Sequence, residues 1–171
     1  RLFNDFNVDI SIASCTGLMN IKTGEWDDQA LKLAGITKDQ LPTIVDGTTQ
    51  ATGLTMTAQA KLGIPADTPF VYGAYDGALS NIGVGATKQN TVAITIGTSA
   101  AVRVVTDHPV IDPERRLFCY AINKGLWVVG GPLNNGGDVY QWAVEHLVDS
   151  SAVKNENVDP YTLANHVIEG V

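Results

Sequence analysis

Few residues in this chain are suited to chemistry, and one acid stands out: Asp76, within Pro69 to Ala86, PFVYGAYDGALSNIGVGA. An apolar run breaks at Gly73, delivers a single carboxylate and continues into small residues. A lone acid at the end of a strand, among glycines, has the setting of a general base. The same residues also describe a strand-to-helix turn with Asp76 as the helix N-cap. Two more loops carry glycine beside polar residues, Gly97-Thr98-Ser99 and Asn134 to Gly137. A glycine loop with a hydroxyl between two strands can turn N–H groups toward a phosphate. A glycine pair at a helix start lets a ligand come close to the helix N-terminus. Each has a plainer reading too: a hairpin turn for the first, a loop entering a helix for the second.

Other chemistries find little support. No segment matches the phosphate loop ending in Gly-Lys-Ser/Thr or the full dinucleotide fingerprint. GAYDGA is not the G-x-S-x-G of a hydrolase nucleophile. Cys15 and Cys119 lie far apart in apolar segments and are expected to be buried reduced thiols. With His108, His146 and His166 dispersed, there is no metal-ligand spacing. Asp9 and Asp138 are also loop-edge acids, but Asp138 opens a helix and reads as a cap. Asp27-Asp28 read as helix-start charges, and Trp142 as core rather than a ligand platform.

Composition narrows the partners. Over 171 residues the chain is 44% hydrophobic and 17% charged, the profile of a folded protein. Its net charge is −7, from 11 basic and 18 acidic residues, and Arg115-Arg116 is the one adjacent basic pair. Nucleic acid or an anionic membrane would favour a clustered positive surface. No apolar run approaches a membrane span and no signal peptide opens the chain, so the expected location is cytoplasmic. Phosphates in so acidic a protein must be held by backbone amides, helix N-termini or metal. Arg1 is not preceded by methionine and the Pro160 to Val171 helix reads as still running, so a piece of a longer protein is expected.

The elements that must position these residues read as α/β. Arg1 to Ser11 starts as the tail of a helix, and ISIASCTGLMNIKTGEW as a strand or hairpin turning at Lys22 to Glu25, with Trp26 in the core. Asp27 caps a helix over DDQALKLAG that ends at Gly35. Thr37 starts a short turn stopped by Pro42, Ile44 to Leu54 is loop or edge strand, and Thr57 to Leu62 is a helix closed by Gly63. Thr87 to Asn90 marks a domain boundary, giving domains 1–88 and 89–171. Thr91 to Ile96 and Ala101 to Thr106 form one hairpin, Leu117 to Ile122 and Leu126 to Gly130 another. Gly130 to Gly137 is a flexible loop into the helix DVYQWAVEHLVD, whose apolar residues are Val139, Trp142, Ala143 and Leu147, and Asp159-Pro160 starts a last helix.

Four segments together have a parallel. ASCTGLMNIKTGEWD, GAYDGALSNIGVGA, TVAITIGTSAAVRV and GGPLNNGGDVYQW follow one another in the order and approximate spacing of the FGGY family of carbohydrate kinases. The chain resembles that family over nearly all its length, most of all the branch acting on gluconate, with the xylulose branch a near neighbour. The resemblance implies an actin-like, ribonuclease-H-like fold of two domains flanking a cleft, both incomplete here. The first would be the end of the sugar-binding domain and the second the start of the ATP-binding domain. It implies ATP and Mg²⁺ as cofactors, a small sugar or sugar acid as partner, and a homodimer. Asp76 matches the catalytic aspartate, with Tyr75 and Gly77 beside the sugar. Gly97 and Thr98 match the loop near the terminal phosphates of ATP, and Gly137 and Gln141 the residues bordering the nucleotide. The first phosphate hairpin and most sugar contacts would lie upstream and an adenosine motif downstream, so the piece alone is expected to be inactive. A non-catalytic actin-like ATP-binding scaffold is the alternative, and Asp76 beside Gly77 is the feature such a scaffold has no need of.

Overall fold

The computed structural model describes residues 2–148 and 158–170. Arg1 at the head of the expected helix tail, Asp149 at the end of the helix read from DVYQWAVEHLVD, and Val171 lie outside them. The chain forms two compact units: Arg1–Ala93 with Arg103–Gly130, and Ile94–Val102 with Gly131–Val171.

In the first unit, β1 (Asn7–Asp9) pairs in parallel with β4 (Thr43–Val45), Val8 opposite Ile44. Residues 2–6 are irregular and Asn7–Asp9 is strand, so the described opening residues are not the tail of a helix. The helix comes next, α1 (Ile10–Cys15), where the sequence suggested a strand. Two local facts outweigh the β-branched content: Asp9 accepts the Ile12 amide as N-cap at 3.0 Å, and Ile10 and Ala13, three apart, are both buried. Cys15, at the far end of α1, is exposed, and Cys119 is half-buried; both are free thiols, so burial holds for neither in full.

The hairpin expected next is present, β2 (Met19–Asn20) against β3 (Glu25–Trp26). Trp26 packs on the cluster Ile10, Ala13, Met19 and Ala121, and its indole N–H donates to the Pro42 carbonyl at 2.9 Å. The helix α2 (Asp28–Ala34) starts as expected: Asp27 accepts the Gln29 and Ala30 amides, and Gly35 ends it in the left-handed region at φ 70°. A short 3-10 turn, Lys38–Gln40, follows.

A second layer supports the Asp76 stretch. β5 (Gln50–Ala51) and β6 (Phe70–Val71) pair antiparallel, with α3 (Met56–Leu62) between them in sequence, capped by Thr55 and closed at Gly63. α4 (Asp76–Gly83) then buries Ala78 against Val105, Ile122 and Val128. Those last three come from a four-stranded sheet of order β7-β8-β10-β9: β7 (Val92–Ile96), β8 (Ala100–Thr106), β9 (Phe118–Asn123) and β10 (Leu126–Leu133). Both expected hairpins are present. In the loop before β9, Arg116 forks onto Asp112 at 3.0 and 3.1 Å and holds that carboxyl well below the usual carboxylate range.

One boundary moves. The expected flexible loop at Gly130 to Gly137 is strand as far as Leu133, which leaves 134–136 to turn the chain. Pairing with β9 ends at Gly130 opposite Phe118, so Pro132, which has no N–H, owes that strand no ladder bond.

In the second unit, α5 (Gly137–Leu147) packs with α6 (Pro160–Glu169), which Asp159 caps through the Thr162 amide. Tyr140 and Tyr161 lie ring to ring at 5.7 Å, and the Tyr140 hydroxyl donates to Asn165. On these two helices Val144 and Ala164 are buried. Trp142, expected in the core, is 54% exposed and stacks on His146. The face toward α6 runs through Tyr140 and Val144, one helical turn apart, and Trp142 falls off that line.

Candidate active site

The Asp76 turn is held from two sides within the first unit. Leaving β6, the Tyr72 amide donates to Thr49 O at 3.3 Å and the Gly73 amide to Gly47 O at 2.9 Å. Gly73 takes φ 77°, which favours glycine. The approach at Gly47 is tighter: a Cβ there would lie 2.2 Å from the Gly73 carbonyl oxygen. From the other side, the Tyr75 amide donates to the hydroxyl of Ser11 at 2.8 Å.

The helix cap belongs to Tyr75, whose backbone is extended and whose side chain makes no cap bond. Asp76 is thus the first helical residue, not the N-cap. Its carboxylate is exposed, and Oδ1 accepts the Gly77 amide at 2.7 Å. An acid in the first turn is favoured by the helix dipole, so this position suits a carboxylate left open to solvent. Asp9, another loop-edge acid, is 6% exposed and caps α1, a structural role.

Tyr75 turns inward. Its ring meets Tyr120 edge-on at 5.5 Å, and its buried hydroxyl has no hydrogen-bond partner among the described residues. Desolvation, reinforced by the nearby Cys15, pushes its pKa far above the usual phenol value. Gly77 makes room for that ring: a Cβ would lie 2.5 Å from Tyr75 Cε2 and 3.3 Å from Arg103 Nε. Arg103 was missed in the sequence; the available signal was a single cation in the apolar strand AVRVVT. Cys15 is near enough to feel Asp9 and Asp76; partial desolvation first, then those charges, raise its thiol pKa.

Gly97, Thr98 and Gly137 come together in the second unit. The Gly97 amide donates to Ser99 O at 2.8 Å, the Gly136 amide to Thr98 O at 2.9 Å, and the Gly137 amide to Gly97 O at 2.6 Å. Two loops that looked separate are one stitched structure. A Cβ at Gly136 would sit 2.7 Å from both Gly97 O and Ser99 O, and one at Gly137 3.0 Å from Gly97 O. The Gly136 and Gly137 amides thus serve the loop itself, and the exposed Thr98 and Ser99 present its outward polar groups. Asp138 Oδ1 accepts the Gly136 and Val139 amides at 2.9 and 3.0 Å, but the N-cap of α5 is Gly136 and the helix starts at Gly137, so the acid expected to cap lies inside the first turn instead. Gln141, on exposed α5, donates to Glu145 at 2.8 Å. Gly136→Ala is expected to destabilise the chain by about 1–3 kcal/mol through overpacking against backbone, read as a lower denaturant midpoint at unchanged slope.

The Gly97, Gly136 and Gly137 amides are spent within the loop, so the polar groups it turns to the surface are those of the exposed Thr98 and Ser99. Among the described residues no group of three or more His, Cys, Asp or Glu could hold a metal ion. A cavity of about 540 Å³ in the first unit, lined among others by Lys22, Trp26, Lys38, Lys124 and Trp127, does not include Asp76. No described helix is long and apolar enough to cross a membrane.

The N-terminal domain of the FGGY family of carbohydrate kinases matches residues 1–83. Gluconokinases of Bacillus licheniformis and Bacillus subtilis (strain 168) are 44% and 42% identical over the whole chain, which spans 34% of each of them. Among solved structures, gluconate kinase from Lactobacillus acidophilus superposes with a TM-score of 0.82 at 41% identity, covering 87% of this chain and 30% of that one. Ligand-bound xylulose kinase from the same organism gives 0.86 at 38% identity, covering 96% and 32%. The chain therefore spans about a third of the length of these relatives, and the expected actin-like, ribonuclease-H-like fold is the one it shares with them.

Proposed function

For a chain that belongs to the FGGY family of carbohydrate kinases, we propose that the full-length protein transfers a phosphoryl group from ATP to a small sugar acid, gluconate being favoured. The observation that carries this reading is the exposed Asp76 carboxylate at the head of α4, on a turn tied to two other segments. Phosphoryl transfer asks little covalent chemistry of the protein: an in-line hydroxyl, neutralised phosphate oxygens and a group to take the proton. ATP with Mg²⁺ supplies the phosphoryl group and the counter-charge. Asp76 orients the acceptor hydroxyl and takes its proton as the new bond forms. Tyr75 and Gly77 flank that hydroxyl's site, Tyr75 through its backbone. Gly97, Thr98, Gly137 and Gln141 border the nucleotide, with Thr98 the outward donor.

Under this reading residues 1–88 belong to the sugar-binding domain and 89–171 to the ATP-binding domain, and the enzyme is a cytoplasmic homodimer. The identity to two gluconokinases favours gluconate; the likeness to a xylulose kinase at 38% identity supports the ketose as second reading. A coupled assay of the full-length protein with gluconate, xylulose and glycerol decides between them. The expected result is a kcat/KM for gluconate at least about tenfold above the others, a difference of ~1.4 kcal/mol in transition-state binding. Preference for xylulose installs the second reading, and ATP binding with no transfer to any acceptor restores the scaffold.

A further inference from the structure

The segment that aims Asp76 lies far from it in sequence, and we infer that Ser11 and Asp9 are positioning residues for the proposed base. This rests on the reading of Asp76 given above and extends it to residues that never meet the substrate.

Ser11 is fully buried. Its hydroxyl donates to Asp9 Oδ1, so the proton is committed and the oxygen's lone pair is left for the Tyr75 amide, which it accepts at 2.8 Å across 64 residues of sequence. Asp9, itself 6% exposed, is fixed in turn by the Ile12 amide at 3.0 Å. A buried carboxylate thus orients a buried hydroxyl, and the hydroxyl holds the amide immediately before Asp76. At the N-cap the Tyr75 N–H precedes the helix ladder and has no partner within α4. Ser11 supplies that partner and with it fixes where the helix begins. The backbone ties of Tyr72 and Gly73, and the bonds of the Tyr72 hydroxyl with Asp5 and Asn7, lie two or more residues earlier and do not set the last two dihedrals before Asp76.

The chain of bonds predicts a specific pattern in the full-length kinase. Ser11→Ala leaves the Asp9 cap on Ile12 intact and removes only the link to Tyr75. Its kcat should fall roughly 10- to 100-fold, the scale of a displacement of about 1 Å in a reacting group, with KM for gluconate and ATP changed less than about twofold. Asp9→Asn keeps an acceptor oxygen for both Ser11 and Ile12, so kcat should stay within a few-fold of wild type. Amide hydrogen exchange in the peptide carrying Tyr75 should quicken in Ser11→Ala, while that of α2 does not.

The decisive readout is the double variant. Because Ser11 acts through Asp76, adding Ser11→Ala to Asp76→Asn should leave the residual rate of Asp76→Asn unchanged. If the two losses multiply, or if Ser11→Ala keeps normal kcat, the positioning role is wrong even where Asp76→Asn is inactive. If Asp76→Asn itself keeps normal turnover, the base assignment fails and the inference goes with it.

Discussion

Asp76→Asn in the full-length protein is expected to lower kcat by about 10²–10⁴-fold under the proposed function, the usual worth of general-base assistance, and to leave nucleotide binding as it was. The substitution is nearly isosteric and keeps the local structure, because the amide oxygen of Asn can still accept the Gly77 N–H that Asp76 Oδ1 accepts at 2.7 Å. The side chain is exposed, so no buried contact is lost with it. What should disappear, under the proposed function, is the capacity to take the acceptor's proton. Steady-state turnover with gluconate, together with calorimetric titration of nucleotide, separates the two effects. A variant that turned over at the wild-type rate would remove Asp76 from the chemistry, and one that lost nucleotide affinity in proportion would make it a binding residue.

Gly47→Ala comes next in expected size, and its effect falls on stability before activity. The new methyl would be placed 2.2 Å from Gly73 O and 3.2 Å from Gly73 C, both backbone atoms. The Gly73 amide is bonded to Gly47 O at 2.9 Å, so the two segments cannot part without losing that bond. Inserting a methyl into so tight a contact costs about 1–3 kcal/mol in well-packed proteins, and a backbone neighbour puts this case at or beyond the upper end. Chemical denaturation should show the loss as a shifted midpoint with the slope retained. Because Gly73 leads directly into Tyr75 and Asp76, the surviving folded fraction should also turn over more slowly. A midpoint within error of wild type would mean that the β5–β6 region yields freely, and the rigid support inferred for Asp76 would go with it.

Much of the local structure was legible in the sequence because its causes are local. Asp27 with Gly35, and Gly63 closing α3, carry their helix ends in a few adjacent residues, and the structure realises them; the start of α3 at Met56, capped by Thr55, falls just before the expected Thr57. The hairpins around Gly97 and Gly125 follow from β-branched runs broken by turn residues. Misreadings came where a distant partner decides. Ile10 to Cys15 looks like a strand until Asp9 caps it and Ile10 and Ala13 find a common core. Trp142 looks like core by size and spacing, but α6 selects the neighbouring Tyr140 and Val144 face. Cys15 sits in an apolar stretch, yet as the last residue of α1 it emerges at the surface.

By itself the sequence determined the α/β class, the presence of an acid-bearing turn and two glycine loops, and a family resemblance specific enough to name Asp76. Those properties rest on residue identity and short spacing, which survive without knowledge of the fold. Only the tertiary structure decided that Asp76 opens its helix rather than capping it. Only the structure showed that Tyr75 faces the core, that Gly97 and Gly136–137 form one interlocked loop, and that Ser11 holds the turn. The reason is physical: a hydrogen bond or a steric approach between residues 64 positions apart, or between two glycines on different loops, leaves no periodic or compositional trace in the chain.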